Sequence, residues 1–332
     1  MITVQNFVNG NFVKVEETIE DVNPATGEVI ANIPRSKAND VEAAVIAAET
    51  ARNSWSNLFL DERRGWLEKI ANALESRSED IAKLESLDTG KPIKLARAVD
   101  AARSVANFRF FAEFSKDYTE EKFEMDDATN HVIFKPIGIA GLITPWNLPL
   151  YLLSWKIAPA IVMGNTVVAK PSELTPLTAN LLAEVIHEVG LPAGVVNIVH
   201  GLGHEAGQTI VAHPKVNLIS FTGGTITGKK VAETASPMFK KLSLELGGKN
   251  ATIVLDDVDL DSAIPEIARS GFLNQGQVCL CGSRILISDK IWDEFIEKFV
   301  NYIEEMKVGD PSSDESDLGA LVSIAHRVHG CF

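Results

Sequence analysis

Between residues 139 and 244, short apolar and β-branched runs alternate with stretches of helical periodicity, and this alternation constrains the fold more than any other feature. The runs 139–143, 166–170, 195–199, 218–221 and 242–244 are too short for helices and carry few charges, as strands buried on both faces do. The segments between them are long enough for crossover helices, so successive strands can lie parallel. That predicts an α/β fold on a doubly wound, Rossmann-like parallel sheet. Beyond Gly248 a second α/β unit begins: a strand at 251–255, a helix at 259–273, a strand at 284–288 and a helix at 289–306.

Upstream, apolar residues recur at helical spacing over 38–55, 61–77 and 78–88. Gly90 and Pro92 then act as stop and start signals before a long helix through Arg103, Phe110 and Phe114. Apolar runs on either side of Asn9-Gly10 predict a hairpin at the N-terminus, and the charged, β-prone stretch 118–138 predicts a second, protruding one. Thr175-Pro176 reads as an N-cap followed by proline at the first helical position, with Gly190 closing that helix.

The net charge of −14 over 332 residues disfavours nonspecific binding to nucleic acid. Three cysteines, Cys279, Cys281 and Cys331, fit neither a disulfide framework nor a zinc pattern, which points to a reducing compartment. No signal or transit peptide is legible at the N-terminus, so the cytoplasm is expected. The most apolar run, 148–164, is too short to span a bilayer and reads as a buried helix. The histidines show no metal-ligand spacing, and no metal is assigned.

Four short motifs and one glycine-rich turn carry chemistry. In Asn274-Gln275-Gly276-Gln277-Val278-Cys279 a cysteine sits among amides. At an ordinary pKa a thiol is only about 3% thiolate at neutral pH, so a nucleophilic cysteine needs a base or a helix N-terminus nearby. Glu245, in Glu245-Leu246-Gly247-Gly248-Lys249, is the candidate base, with the glycine pair expected to turn the chain and aim the carboxylate into a pocket. Asn147, in Pro145-Trp146-Asn147, can donate its amide to an oxyanion. Lys170-Pro171-Ser172-Glu173 offers a cation and an acid suited to ribose hydroxyls, and the glycines of 221–228 can meet a pyrophosphate at a helix N-terminus. Read alone, Cys279 is a small core hydrophobe, Glu245 a surface carboxylate and Asn147 a turn residue. The flanking Gln-Gly-Gln and the upstream Glu-Leu-Gly-Gly-Lys reverse that reading for Cys279. Glu245 sits at a strand's carboxyl end, where open α/β sheets place their ligands. For Asn147 the functional reading rests on the resemblance that follows.

In this order the motifs resemble the aldehyde dehydrogenase family, from about Asn6 to about Ala325, and the sequences around Asn147 and Cys279 look like its muconic semialdehyde branch. The resemblance implies that Cys279 attacks an aldehyde, that a thiohemiacetal becomes a thioester, and that Glu245 activates the hydrolytic water. Asn147 and the backbone N–H of Cys279 would hold the oxyanion. The implied cofactor is NAD, contacted by Thr144, Pro145, Trp146, Lys170, Ser172, Glu173, Gly203, Phe221, Thr222, Gly223, Gly224, Gly228, Leu246 and Gly247. A carboxylate at Glu173 disfavours the 2′-phosphate of NADP. Arg103 would bind the carboxylate of 2-aminomuconic 6-semialdehyde, an aldehyde of kynurenine catabolism. A neutral aldehyde of the betaine or retinal type, and a catalytically silent nucleotide-binding fragment, are the alternatives.

Residues 1–117 and 139–246 would form the NAD-binding domain, 118–138 an oligomerisation hairpin, and 247–332 an incomplete catalytic domain. Family members continue beyond the point where this sequence stops. A formed dinucleotide-binding half, little turnover and a doubtful homo-oligomer are therefore expected of the chain as written.

Overall fold

The structure, a computed structural model, describes residues 1–118 and 120–329, so Cys331 lies outside the described residues. A seven-stranded sheet runs Lys241–Glu245, Val216–Thr222, Ile139–Ile143, Thr166–Lys170, Val196–Ile198, Asn6–Val8, Asn11–Val13. The first five strands are parallel, as the alternating pattern implies. The N-terminal hairpin extends the sheet antiparallel through the pair Ile198 and Phe7. Asn9 and Gly10 both take positive φ at its turn, the conformation a two-residue hairpin needs.

All residues of Ile139–Ile143 and Thr166–Lys170 are buried. Their side chains alternate between two faces. Ala140, Leu142, Val167 and Ala169 pack under the helices Leu60–Ser76, Ala102–Phe114, Pro149–Val162 and Leu177–Glu188. Ile139, Ile143 and Val168 pack under Ala38–Ser56, Gln208–Ala212 and Thr225–Ala235. Each large apolar side chain so buried contributes about 1.5–3 kcal/mol, which two-sided burial multiplies across the sheet.

Strand Ile139–Ile143 is central. The next two strands in sequence lie to one side of it and the following two to the other. The loops leaving Ile143 and Thr222 therefore diverge, and a crevice opens at the carboxyl ends of these neighbours. The helices do not cover the whole of one face. On the outer strands Leu218, Ser220, Ser243 and Glu245 line a cavity of about 480 Å³ instead.

The Thr175-Pro176 cap expected from sequence is not what the structure uses. The helix begins at Leu177, whose N–H donates to Asp88 at 2.9 Å, while Thr175 Oγ1 is buried without a partner. A carboxylate from a distant helix takes the capping role, and Glu85 likewise accepts the Leu150 N–H at 3.0 Å near the start of Pro149–Val162. Gly190 does end its helix, with φ +71°. The three-stranded sheet of Ile2–Thr3, Val29–Pro34 and Thr18–Val22 has no counterpart in the sequence reading. Ile2–Thr3 is only two residues long, Thr18–Val22 carries Glu20 and Asp21, and Asn32 and Pro34 interrupt the apolar run of the middle strand.

Past Gly248, the parallel pair Ala251–Val254 and Arg284–Ile287 packs one face on Leu260–Phe272 and Trp292–Glu304. The opposed pair Ile253 and Leu286 stays exposed on the other face. Between residues 118 and 138, Glu121–Glu124 and Thr129–Val132 form the expected hairpin, exposed throughout; Thr119 lies outside the described residues. No helix among the described residues is long and apolar enough to cross a membrane.

Candidate active site

Cys279 follows an unusual turn. Asn274, Gln275 and Gly276 are successively left-handed, with φ of 54°, 57° and 74°. For the two non-glycine residues this costs about 1–2 kcal/mol each, so the turn must be over-determined by its surroundings. The amides of the motif do this. Asn274 Nδ2 donates to the Asn147 carbonyl at 3.0 Å, and Gln275 Nε2 to the Ala320 carbonyl at 2.7 Å. Gln277 N–H closes back on the Asn274 carbonyl at 2.9 Å, and Gln277 Oε1 accepts the Val322 N–H at 3.1 Å. The motif was legible as a motif, but the backbone strain its amides offset was not.

Cys279 itself is exposed, and it lies beyond the short 3-10 helix Leu273–Gly276 rather than at a helix start. Its neighbour Cys281 is buried, bonds the Gly276 carbonyl at 3.2 Å and has its thiol pKa pushed up by burial. Both thiols border the same cleft, but Cys279 is exposed there whereas Cys281 is only 8% exposed.

Asn147 stands at the crevice between the two central strands. Its Nδ2 donates to the Gln277 carbonyl at 2.9 Å, which uses one of the two amide hydrogens and ties Asn147 to the loop that carries Cys279. Pro145, Trp146, Asn147, Thr222, Gly223, Gly224, Leu246, Gly247 and Cys279 together line a cleft of about 560 Å³. Trp146 packs edge-on against His326, at 4.5 Å between ring centroids, and His326 forms part of the cleft wall.

Glu245 ends the edge strand and is exposed, as a residue at the carboxyl end of a parallel sheet can be. It does not line the larger cleft. Glu245 and Cys279 instead share the 480 Å³ cavity on the open face of the sheet. The expected glycine turn is also absent, because neither Gly247 nor Gly248 has positive φ and the chain passes through them without a left-handed step. Cys279, Thr222 and Leu152 line both cavities, so the thiol sits where the two spaces meet. Lys156, a charge set within the apolar helix Pro149–Val162, reaches this second cavity and donates to Ser220 Oγ at 2.8 Å. Burial lowers its pKa to about 8, against the opposing influence of the Glu245 carboxylate.

The remaining predicted contacts divide into two groups. Lys170 ends the strand next to the central one, Ser172 and Glu173 follow it, and none of the three lines the cleft, nor do Thr144, Gly203, Phe221 and Gly228. Lys170 and Glu173 pair with each other at 2.5 Å, and Glu173 Oε1 lies 3.5 Å from the Gly203 N–H. Burial lowers the Lys170 pKa, with Glu173 opposing; burial acts to raise Glu173, but the lysine outweighs it and the carboxyl ends lower than usual. Phe221 is core, and a Cβ on Gly228 would strike Leu246 at 2.3 Å. Beside Lys170, His200 is fully enclosed with both ring nitrogens unpartnered, and burial together with the lysine charge pushes its pKa down to about 3. Arg103 is exposed and lines neither cavity.

The aldehyde dehydrogenase family profile matches residues 12–330. A human protein named 2-aminomuconic semialdehyde dehydrogenase is 48% identical over 328 residues, covering 98% of this chain and 67% of its own length. A 2-hydroxymuconic semialdehyde dehydrogenase of Pseudomonas sp. (strain CF600) is 44% identical, covering 98% and 69%. The solved NAD+ complex of an aldehyde dehydrogenase from Bacillus cereus superposes with a TM-score of 0.96 at 36% identity, over 98% of this chain and 68% of that one. The chain belongs to the aldehyde dehydrogenase family. It spans about two thirds of the length of the curated relatives it matches.

Proposed function

We propose that this protein oxidises an acidic semialdehyde, of the 2-aminomuconic or 2-hydroxymuconic type, to the carboxylic acid with NAD. The observation that carries the reading is the position of Cys279, exposed at the meeting of two cavities, with Asn147 on one and Glu245 on the other.

In this reading the Cys279 thiolate attacks the aldehyde carbon and the carbonyl oxygen becomes an anion. Asn147 stabilises it through the amide hydrogen not given to Gln277, an interaction that strengthens as charge develops. NAD, when bound, supplies the acceptor for the hydride. The thioester left on Cys279 is hydrolysed by a water that Glu245 deprotonates, which frees the thiol and releases the acid. Lys156 lines the same cavity as that carboxylate, which opposes the loss of the lysine proton.

The larger cleft suits a dinucleotide. It opens at the switch point of a parallel sheet, and Gly224 caps the helix Thr225–Ala235 with open space where a side chain would stand. Pro145, Trp146, Gly223, Gly224, Leu246 and Gly247 would hold the cofactor there. Lys170 and Glu173 would reach its adenosine ribose, where the carboxylate favours NAD over NADP. The unit of 1–117 and 139–246 is thus assigned to cofactor binding, 247–332 to catalysis and 118–138 to self-association, in the cytoplasm.

The substrate class rests on the names of the two relatives and on Arg103 as a carboxylate ligand. Because Arg103 lines neither cavity, a neutral aldehyde is the second reading. NADH and NADPH formation with acidic and neutral aldehydes separates the two and tests the cofactor preference. Turnover with neutral aldehydes alone would overturn the substrate class, and no turnover with any of them would overturn the activity.

A further inference from the structure

We propose, building on the reading above, that Lys91 is a positioning residue for the oxyanion amide of Asn147. Lys91 is fully buried, yet its ammonium is not merely neutralised by the carboxylates beside it. One N–H donates to Asp100 Oδ2 at 2.8 Å and another to the Asn147 backbone carbonyl at 3.1 Å, with Glu85 Oε2 at 3.8 Å. Asn274 Nδ2 reaches the same carbonyl from the nucleophile loop at 3.0 Å. Both lone pairs of that oxygen are thereby engaged, one by the helical layer and one by the loop that carries Cys279.

The same charged group holds the other end of the turn. Glu85 Oε1 accepts the Leu150 N–H at 3.0 Å and the Thr178 hydroxyl at 2.8 Å, so the chain from Asn147 to Leu150 is bonded at both ends to one buried cluster. Gly90, next to Lys91, accepts the Ala320 N–H at 2.9 Å and lies 3.3 Å from Gln275 Nε2. With its peptide oxygen fixed and one side-chain hydrogen bound to Gln277, Asn147 has little freedom in where its second amide hydrogen points. A buried charged group is a costly way to hold two helices together, since well-packed apolar residues serve stability as well or better. What an apolar pair cannot do is donate to the Asn147 carbonyl.

That difference defines the experiment. Lys91→Met combined with Asp100→Leu replaces the ion pair by apolar side chains and removes the donor while retaining packing. NADH production from 2-hydroxymuconic semialdehyde, NAD binding by fluorescence, and the Asn147 side-chain amide resonance, assigned by its loss in Asn147→Ala, are compared with the unsubstituted protein. Displacing a catalytic group by about 1 Å costs about 100-fold, so kcat is expected to fall by about 10- to 100-fold. NAD affinity is expected to stay within about twofold, and the amide resonance to shift or broaden. An unaltered kcat, or NAD affinity lost in step with it, overturns the proposal. Absence of turnover in the unsubstituted protein counts against the dehydrogenase reading, and the amide resonance then decides alone: if it is unchanged, Lys91 does not position Asn147. If the double variant does not fold, Asp100→Asn loosens the Lys91 anchor and carries the same readouts, with a smaller loss of kcat supporting the role and none overturning it.

Discussion

The carboxylate of Glu245 and the ammonium of Lys156 line one cavity, and the carboxylate opposes the loss of the lysine proton that burial promotes. The folded pKa of about 8 lies below the ordinary 10.5. Between those values the folded state binds fewer protons than the unfolded one, so this group costs stability below pH 8 and the cost fades as pH rises through the window. Lys156→Met should therefore gain more stability over the parent protein at pH 7 than at pH 10.5, read from urea midpoints. Equal gains at both pH values would mean that the ammonium titrates normally.

Cys279→Ser should lose essentially all aldehyde oxidation, because a serine hydroxyl has no accessible anion near neutral pH. NAD binding should persist, since the cleft it would enter is lined mostly by other residues. Calorimetric titration with NAD beside an activity assay checks both, and near-parental turnover would remove Cys279 from the mechanism.

Asn274→Ala places a side chain without an amide in a left-handed position and withdraws a donor from the Asn147 carbonyl. We expect a loss of about 1–3 kcal/mol in unfolding free energy and a fall in kcat. Asn274→Gly, which relieves the backbone strain but not the missing bond, should recover part of the stability and little of the rate. Full recovery of rate by glycine would make the hydrogen bond irrelevant to catalysis.

Asp21 and Asp88 are buried against each other. Burial raises the Asp21 pKa to about 7, with its bond to Asp88 opposing, and Asp88 is raised well above its usual value by burial and by Asp21. A raised carboxyl pKa gives stability that is present at low pH and lost as pH climbs through the folded value. Asp21→Asn should thus become more stable relative to the parent between pH 5 and pH 8 in thermal unfolding. A difference that stays constant over that range would show that the pair carries no extra proton.

Arg103→Ala should raise KM for an acidic semialdehyde by the equivalent of about 1.5–3 kcal/mol and leave a neutral aldehyde nearly unaffected. Equal effects on both substrates would make the arginine a surface residue, as its exposed position on Ala102–Phe114 allows.

Much of the architecture was legible because two-sided burial leaves unbroken apolar runs, and Ile139–Ile143 and Thr166–Lys170 fall where those runs lie. The sheet of Val29–Pro34 was not, since Asn32 and Pro34 break up its apolar run and its partner Thr18–Val22 carries Glu20 and Asp21. At the site, local motifs singled out Cys279, Asn147 and Glu245, and each of these lines one of the two cavities. Lys156 and Lys91 stayed hidden for a common reason: an isolated lysine in a helix or turn reads as a solvated charge, and only tertiary packing buries it. The cap that Asp88 supplies to Leu177 is equally invisible, because no local rule reaches 89 residues along a chain.

The bonds around Asn147 also impose an order of assembly. Lys91 reaches it across 56 residues of sequence, Asn274 across 127 and Gln277 across 130, while Gln275 and Gly90 are 185 apart. Contacts so distant in sequence form slowly, since each closes a long loop before any gain is realised. A folding chain therefore carries its cysteine for some time before the amide beside it is in place. Under the proposed function, Cys279 meets its oxyanion amide only when the helical layer, the central strands and the following unit have all docked, so partly folded forms would hold the thiol without the means to use it.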